Sequence, residues 1–288
     1  MPGWRTLQRP GRDAYPPDGY GTNPFCAAYN RAKSGAETPF SETENCSTET
    51  GHDRQKMSDA LTPEAFIQDL VTRIEARRTF GRHPLWLELA DGKLARGQLK
   101  LFAVQFFLQV REFPRAVSAM HANCPFPEER KELAESVYEE ETGRLSGSNQ
   151  PHPELFIRFG EAVGLKRAEL VEGRPLPATR ALIDWFELST KQRSFIEAAA
   201  AINLAAEGQV PGAFGPMARR LQENYGLSRE AVEFWDVHEI ADAEHSGVGD
   251  HIVVRHATDA AIQARVRDAL QHSLDAWWLF FDGIQAAI

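Results

Sequence analysis

The ten residues 236–245, DVHEIADAEH, contain neither glycine nor proline and are free to form a helix. Each residue of an α-helix turns about 100°, so Asp242 lies about 40° round from His238, and His245 about 20° the other way. One helical face then carries two imidazoles and a carboxylate, a donor set that suits iron, manganese or zinc. The alternative is a polar face with solvated charges, so the question is whether other helices supply further ligands.

Two other segments offer carboxylates and an imidazole. Glu207 follows a helix of small side chains that permit close packing, and a buried carboxylate there would need a cation. The alternative places it at an exposed helix end beside Gly208. Glutamates 139–141 end another helix, where the dipole disfavours anions, although a solvated acidic run is also typical. His152 begins the following helix and could meet one of them across the connecting loop.

Together these segments give three carboxylates and three imidazoles. Such a set resembles a carboxylate-bridged dinuclear site in the core of a helix bundle. A zinc peptidase is disfavoured, because Glu239 follows His238 as in HExxH but the second histidine is absent. The candidate metal ligands are Glu140, His152, Glu207, His238, Asp242 and His245.

Composition narrows the partners. The net charge of −9 argues against a nucleic-acid partner and favours a small-molecule substrate. The three cysteines form no CxxC or paired framework, as expected in a reducing cytoplasm. The longest apolar cluster near the C-terminus, residues 276–281, is far shorter than the ~20 residues that span a bilayer, so no membrane association is expected.

The chain divides at Met57. Residues 1–56 contain one leucine and neither valine nor isoleucine, and we expect them to be a disordered extension or an over-extended start. Residues 57–288 form one domain with no run of alternating β-branched residues, which predicts an all-α fold. Its predicted helices span 62–78, 83–89, 96–110, 128–142, 153–164, 178–207 with a break near 190, 216–225, 228–247 and 258–286, with one more starting at Pro114.

Five phrases resemble the haem-oxygenase-like di-metal oxidases, a family of seven-helix bundles. They are EFPRAVSAMHANC at 112–124, EETG at 140–143, FGEAVGL at 159–165, AEGQVP at 206–211 and the His238, Asp242, His245 spacing. The resemblance covers roughly residues 62–286. It is greatest to the branch that includes the chlamydial death-domain-associating protein, a p-aminobenzoate synthase, and extends more distantly to pyrroloquinoline-quinone-synthesis oxidases and thiaminases.

This resemblance implies a function and a ligand scheme. The first metal would be bound by Glu140, His152 and Glu207, with Glu207 as a bridge, and the remaining three ligands would complete the second. Two Fe(II) ions are expected, with iron–manganese as the alternative, and O₂ as co-substrate. The substrate would be a small metabolite such as an amino acid or a fatty acid in a biosynthetic pathway. Members of this fold commonly pair, so a homodimer is also expected.

The sequence departs from the aminobenzoate-forming members, which consume a tyrosine of their own and use a lysine. Trp86 and Phe234 stand where those tyrosines are expected, and Met217 stands near the lysine position. The loop at 144–151 is also longer than expected, which leaves Glu139 and Glu141 as substitutes for Glu140. No catalytic residue beyond the metal ligands is assigned.

Three other functions stay open at this stage. The first is a metal-free cofactor-synthesis oxidase or thiamin-salvage enzyme, both of which the same fold supports. The second is aminobenzoate synthesis, and the third is a non-catalytic binding protein. Cys124 is the one candidate for a thiaminase-like nucleophile, but it lies in a turn with no neighbouring base, so a structural role is favoured.

Overall fold

The regular structure of the chain is helical throughout the part that can be described. The computed structural model describes residues 60–288, apart from the side chains of residues 240–246. The predicted extension at 1–56 and the alternative start at Met57 lie outside these residues. Between residues 60 and 288 there is no strand, which confirms the predicted all-α class.

Twelve α-helices follow one another in this part of the chain. They are α1 (Pro63–Ala76), α2 (Pro84–Ala90), α3 (Arg96–Val110), α4 (Phe113–Asn123), α5 (Pro127–Thr142), α6 (His152–Ala162), α7 (Arg167–Val171), α8 (Pro177–Lys191), α9 (Phe195–Ala199), α10 (Phe214–Tyr225), α11 (Glu233–His256) and α12 (Ala260–Gln285). A π-helical turn, Ala200–Leu204, continues α9, and short 3₁₀ turns occupy Glu207–Gln209 and Glu230–Val232.

Local sequence signals explain where several helices begin. The Thr62 side chain accepts a hydrogen bond from the backbone N–H of Ala65, and Pro63 takes the first helical position of α1. The predicted break near residue 190 is also present, because α8 ends at Lys191. The chain restarts at Ser194, whose side chain caps α9 together with Glu197.

The structure adds elements that periodicity alone did not predict. Helix α7 is a single short turn that follows Lys166. The Lys166 backbone N–H donates a hydrogen bond to the Glu169 carboxylate. The π-helical turn carries one extra residue per turn, so its side chains leave the 3.6-residue pattern on which the prediction rested.

An aromatic core joins these helices. Trp235, Phe106 and Phe156 are fully buried or nearly so and pack ring against ring, and Phe281 of α12 reaches the same cluster. Helix α12 packs along α8 and against the π-helical turn, while α11 packs against α10 and α5. None of the described helices is both long and apolar enough to cross a lipid bilayer.

Candidate metal centre

Three buried side chains converge where α5, α6 and α11 meet. Glu140 lies in the last turn of α5, His152 is the first residue of α6, and His238 lies in the second turn of α11. Each offers one donor atom, and these three atoms lie within 4.8 Å of one another. The Glu140 Oε1 and His152 Nδ1 atoms are 3.1 Å apart, and the two imidazole rings are centred 4.4 Å apart. The site is thus able to surround a small cation.

The loop after α5 places His152 beside Glu140. Gly143 ends α5 with φ +57, a left-handed conformation that glycine adopts without steric cost. A Cβ atom at Gly143 would lie 2.0 Å from Ser148 Oγ and 2.2 Å from the Gln150 carbonyl oxygen, so the returning loop packs directly on the glycine. The longer loop at 144–151 therefore folds back on the helix end and still places His152 beside Glu140.

Glu139 holds the His152 ring from the other side. Its Oε1 lies 3.2 Å from His152 Nε2, and its carboxylate also accepts backbone hydrogen bonds from Leu145 and Ser146. Burial raises the pKa of Glu139, but the hydrogen bonds from His152, Ser146 and Leu145 outweigh it and lower the pKa to about 2. The carboxylate is therefore ionised, and it directs His152 Nδ1 towards Glu140. Carboxylates commonly orient metal-binding histidines in this way.

The tautomer of His238 follows from its own helix. Its Nδ1 atom lies 2.7 Å from the carbonyl oxygen of Phe234, which can only accept, so Nδ1 carries the proton. In the neutral ring the Nε2 atom then carries the lone pair that a cation would bind.

Glu207 also belongs to this region. It is 3% exposed, so the alternative of an exposed helix end is wrong. Its Oε2 accepts a hydrogen bond of 2.7 Å from Asn203 Nδ2 in the preceding π-helical turn, and the residue lines the same cavity as Glu140 and His238. It is not one of the three donors grouped within 4.8 Å.

The remaining predicted ligands are not described. Asp242 and His245 lie on α11 among residues 240–246, outside the side chains that the structure describes. The described donors group His238 with Glu140 and His152, whereas the family resemblance places His238 on the second ion. The division of six ligands between two ions therefore stays a prediction.

The acidic run at the end of α5 is divided by burial. Glu139 and Glu140 are buried, whereas Glu141 is exposed, so the interpretation of a fully solvated run is wrong for two of the three residues. The partners of the Glu139 carboxylate are the Leu145 and Ser146 backbone N–H groups and the His152 ring. The orienting role of Glu139 was not foreseen, because adjacent helical residues ordinarily point about 100° apart and only the returning loop brings both towards His152.

A cavity of about 50 Å³ lies beside these residues. Its polar lining comes from Glu140, Glu207, His238 and Gln109. The other lining side chains are apolar, and most are aromatic: Phe80, Phe106, Phe113, Phe214, Phe234 and Trp277, with Val110, Ala206 and Val210.

The donor chemistry fits a divalent iron ion. Two imidazoles and one carboxylate, all buried, form the nitrogen and oxygen set that suits Fe(II), and Glu207 adds a second carboxylate at the same cavity. Residues Glu140, His152 and His238 would hold one ion.

Comparison with known proteins identifies the family of this chain. A family model described as iron-containing redox enzymes, of the haem-oxygenase type, matches residues 100–278. A 4-aminobenzoate synthase of Nitrosomonas europaea is 31% identical over 234 residues, covering 78% of this chain and 92% of that protein. A pyrroloquinoline-quinone synthase of Pseudomonas aeruginosa is 27% identical over 217 residues, covering 71% of this chain and 81% of that protein.

A solved structure shares the fold. The TenA homologue of Pseudomonas syringae superposes with a TM-score of 0.65 at 18% identity, covering 77% of this chain and 93% of that one. The match over residues 100–278 includes the described donors of the site. This chain therefore belongs to the haem-oxygenase-like family of iron-containing redox enzymes.

Proposed function

We propose that this protein is a non-haem di-iron oxidase or oxygenase that uses O₂ to oxidise a small molecule. The observation that carries the proposal is the buried group of Glu140, His152 and His238, whose donor atoms lie within 4.8 Å of one another and two of which line a largely aromatic cavity. Family membership supports the iron. The second ion rests on Glu207 together with the predicted ligands Asp242 and His245.

The residues of the chain have separable tasks in this proposal. Iron, when bound, supplies the redox chemistry with O₂ that amino-acid side chains lack. Glu139 and the Phe234 carbonyl fix the rings of His152 and His238, so both nitrogens are held in place before an ion arrives. The aromatic lining confines a substrate next to the donors.

The substrate is a separate molecule in this proposal. Sacrifice of a protein tyrosine would need a tyrosine at the cavity, but Phe234 lies there, with its ring centred 4.0 Å from that of His238. Of the tyrosines at 60–288, Tyr138 is exposed and Tyr225 accepts a hydrogen bond from the Leu94 backbone N–H. Neither lines the cavity.

A thiaminase-like reaction has little support from Cys124. The thiol lies at the end of α4, donates to the Phe126 carbonyl oxygen at 3.4 Å, and does not line the cavity. Burial raises its pKa, so the thiolate needed for nucleophilic attack is disfavoured.

Aminobenzoate formation is the second candidate, favoured by the 31% identity to the Nitrosomonas europaea synthase. Iron-loaded protein incubated with O₂ and a reductant, but without an added substrate, distinguishes the two. We expect mass spectrometry to detect no 4-aminobenzoate. Stoichiometric release of 4-aminobenzoate would show that a residue of the chain, and not an added molecule, is the substrate.

The proposal is tested by anaerobic reconstitution with Fe(II), followed by metal analysis and oxygen-electrode measurements. We expect two ions per chain, and we expect His238→Ala and Glu207→Ala to lose O₂ consumption while the helical circular dichroism signal is kept. His251→Ala, on the same helix but with its side chain 67% exposed, is the matched control and should behave as the wild type. Far fewer than two ions in the wild type, or full O₂ consumption in His238→Ala, would contradict the proposal.

A further inference from the structure

A second polar group in the cavity is not explained by metal binding. Gln109 lies at the end of α3, is 3% exposed, and lines the cavity together with Glu140 and His238. Its side-chain amide makes no hydrogen bond to any of the described residues. An amide carries two donors and an acceptor, which a molecule in the cavity could satisfy.

The other buried glutamines between residues 60 and 288 are used differently. Gln105, one turn earlier on α3, donates to the Arg174 carbonyl and accepts from Leu176 N and Thr179 Oγ1. Both ends of the Gln209 amide are bonded to backbone groups, as are both ends of Gln263. These three amides hold segments of the fold together, whereas Gln109 lines the cavity and bonds to none of the described segments.

The surroundings of Gln109 define what it could bind. The cavity wall on this side consists of Phe106, Val110 and Phe113, and no lysine or arginine is among the described lining residues. A negatively charged group placed against Gln109 would therefore find no lysine or arginine in the described lining, and the neutral amide offers no counter-charge to a group of either sign. An uncharged polar group would gain hydrogen bonds without that penalty.

We infer that Gln109 is a specificity-determining residue that hydrogen-bonds an uncharged polar group, such as a carboxamide, on a small and otherwise apolar substrate. This inference rests on the proposed function, since it takes the cavity as the substrate site. It narrows the substrate class to molecules with an apolar body of about one ring, which the aromatic walls contact, and one neutral hydrogen-bonding group.

Binding to metal-free protein tests this separately from iron chemistry. Benzamide, benzoate and toluene have the same ring and differ in the polar group. Methyl NMR shifts of Val110 and Val210, which line the cavity, report occupancy directly. In the wild type we expect the dissociation constant of benzamide to be at least about tenfold lower than those of the other two, a difference of about 1.4 kcal/mol.

Variants assign the preference to one side chain. Gln109→Leu replaces the amide with an apolar side chain, and it should weaken benzamide binding at least about tenfold while toluene binds as well or better. Gln68→Leu, the same substitution at an exposed position of α1, is the control and should leave all three unchanged.

Specific outcomes overturn the inference. The inference is overturned if Gln109→Leu binds benzamide as tightly as the wild type does. It is also overturned if the wild type binds toluene or benzoate as tightly as benzamide. The wild-type ranking decides even if Gln109→Leu does not fold. If iron fails to bind but the benzamide preference disappears with Gln109→Leu, the proposed function fails and the role of Gln109 stands.

Discussion

At the residue scale, two neighbouring glutamates take different tasks around one histidine. Glu140 faces His152 Nδ1 and belongs to the donor group, while Glu139 faces His152 Nε2. The hydrogen bonds from Leu145 and Ser146 keep Glu139 ionised in a buried position, so its charge is available to orient the imidazole. Preorganised ligands lose less conformational freedom when the ion binds.

Glu139→Gln tests this orienting role. The amide keeps the size of the side chain but removes the charge and places an NH₂ group against backbone donors. We expect Fe(II) affinity to fall about 10- to 100-fold, as is typical when a partner of a metal-binding histidine is removed, measured by competition with a chromogenic chelator. Glu141→Gln changes the same charge at the exposed neighbour and should bind iron normally. Equal affinity in both variants would assign Glu139 to packing alone.

At the scale of elements, the connection between α5 and α6 sets the geometry of the site. The last turn of α5 supplies Glu139 and Glu140, and the first residue of α6 supplies His152, so a shift of the loop at 144–151 changes every distance among them. Gly143 fixes how the chain leaves α5, because its left-handed φ and missing Cβ let Ser148 and Gln150 approach.

Gly143→Ala should therefore damage both stability and the site. Left-handed backbone costs an alanine roughly 1–2 kcal/mol, and the contacts of its Cβ add about 1–3 kcal/mol. Gly147→Ala is the matched control, because Gly147 also has positive φ, at +85, but nothing lies within 4 Å of its Cβ position. Urea unfolding should show a larger loss for Gly143→Ala, accompanied by weaker Fe(II) binding. Equal losses for the two variants would show that backbone strain alone matters.

At the scale of the whole molecule, the two helices that supply Glu140 and His238 are joined at their far ends. Glu129 in the first turn of α5 accepts hydrogen bonds from His256 Nε2 at 2.9 Å and Arg255 Nη1 at 3.1 Å, both in the last turn of α11. Helices α5 and α11 run antiparallel, so the end of α5 that carries Glu140 lies beside the start of α11 that carries His238. The ion pair and the candidate metal centre thus join opposite ends of the same helix pair.

This ion pair makes global stability depend on pH. Burial raises the pKa of Glu129, but the hydrogen bonds from His256 and Arg255 outweigh it, so the folded pKa lies below the ordinary 4.5. The stabilisation is therefore present above pH 4.5 and is lost as the pH falls through the folded pKa.

We expect Glu129→Gln to lower the free energy of unfolding near pH 7, with the difference from wild type shrinking below pH 4.5. Glu135→Gln, exposed on the same helix, should show no such pH dependence in urea titrations. A difference for Glu129→Gln that stays constant from pH 7 to pH 3 would contradict the assignment.

Much of the architecture follows from local sequence. Helix α3 was predicted with the bounds that the structure has, and α5 and α12 within two residues, because apolar periodicity and capping residues act over one or two turns. The family was also recognisable from the sequence, since phrases such as EETG at 140–143 resemble it and the family model matches residues 100–278.

The sequence by itself determined the all-α fold and a set of candidate metal ligands, because helix formation and ligand type are properties of short segments. Only the tertiary structure decided that Glu140 and not Glu141 faces His152, that Glu139 orients the ring, and that Gln109 opens into the cavity. These outcomes depend on how the loop at 144–151 returns and how the helices rotate against one another. Neighbouring residues of one helix have almost the same local sequence, and only packing against other helices distinguishes the buried one from the exposed one.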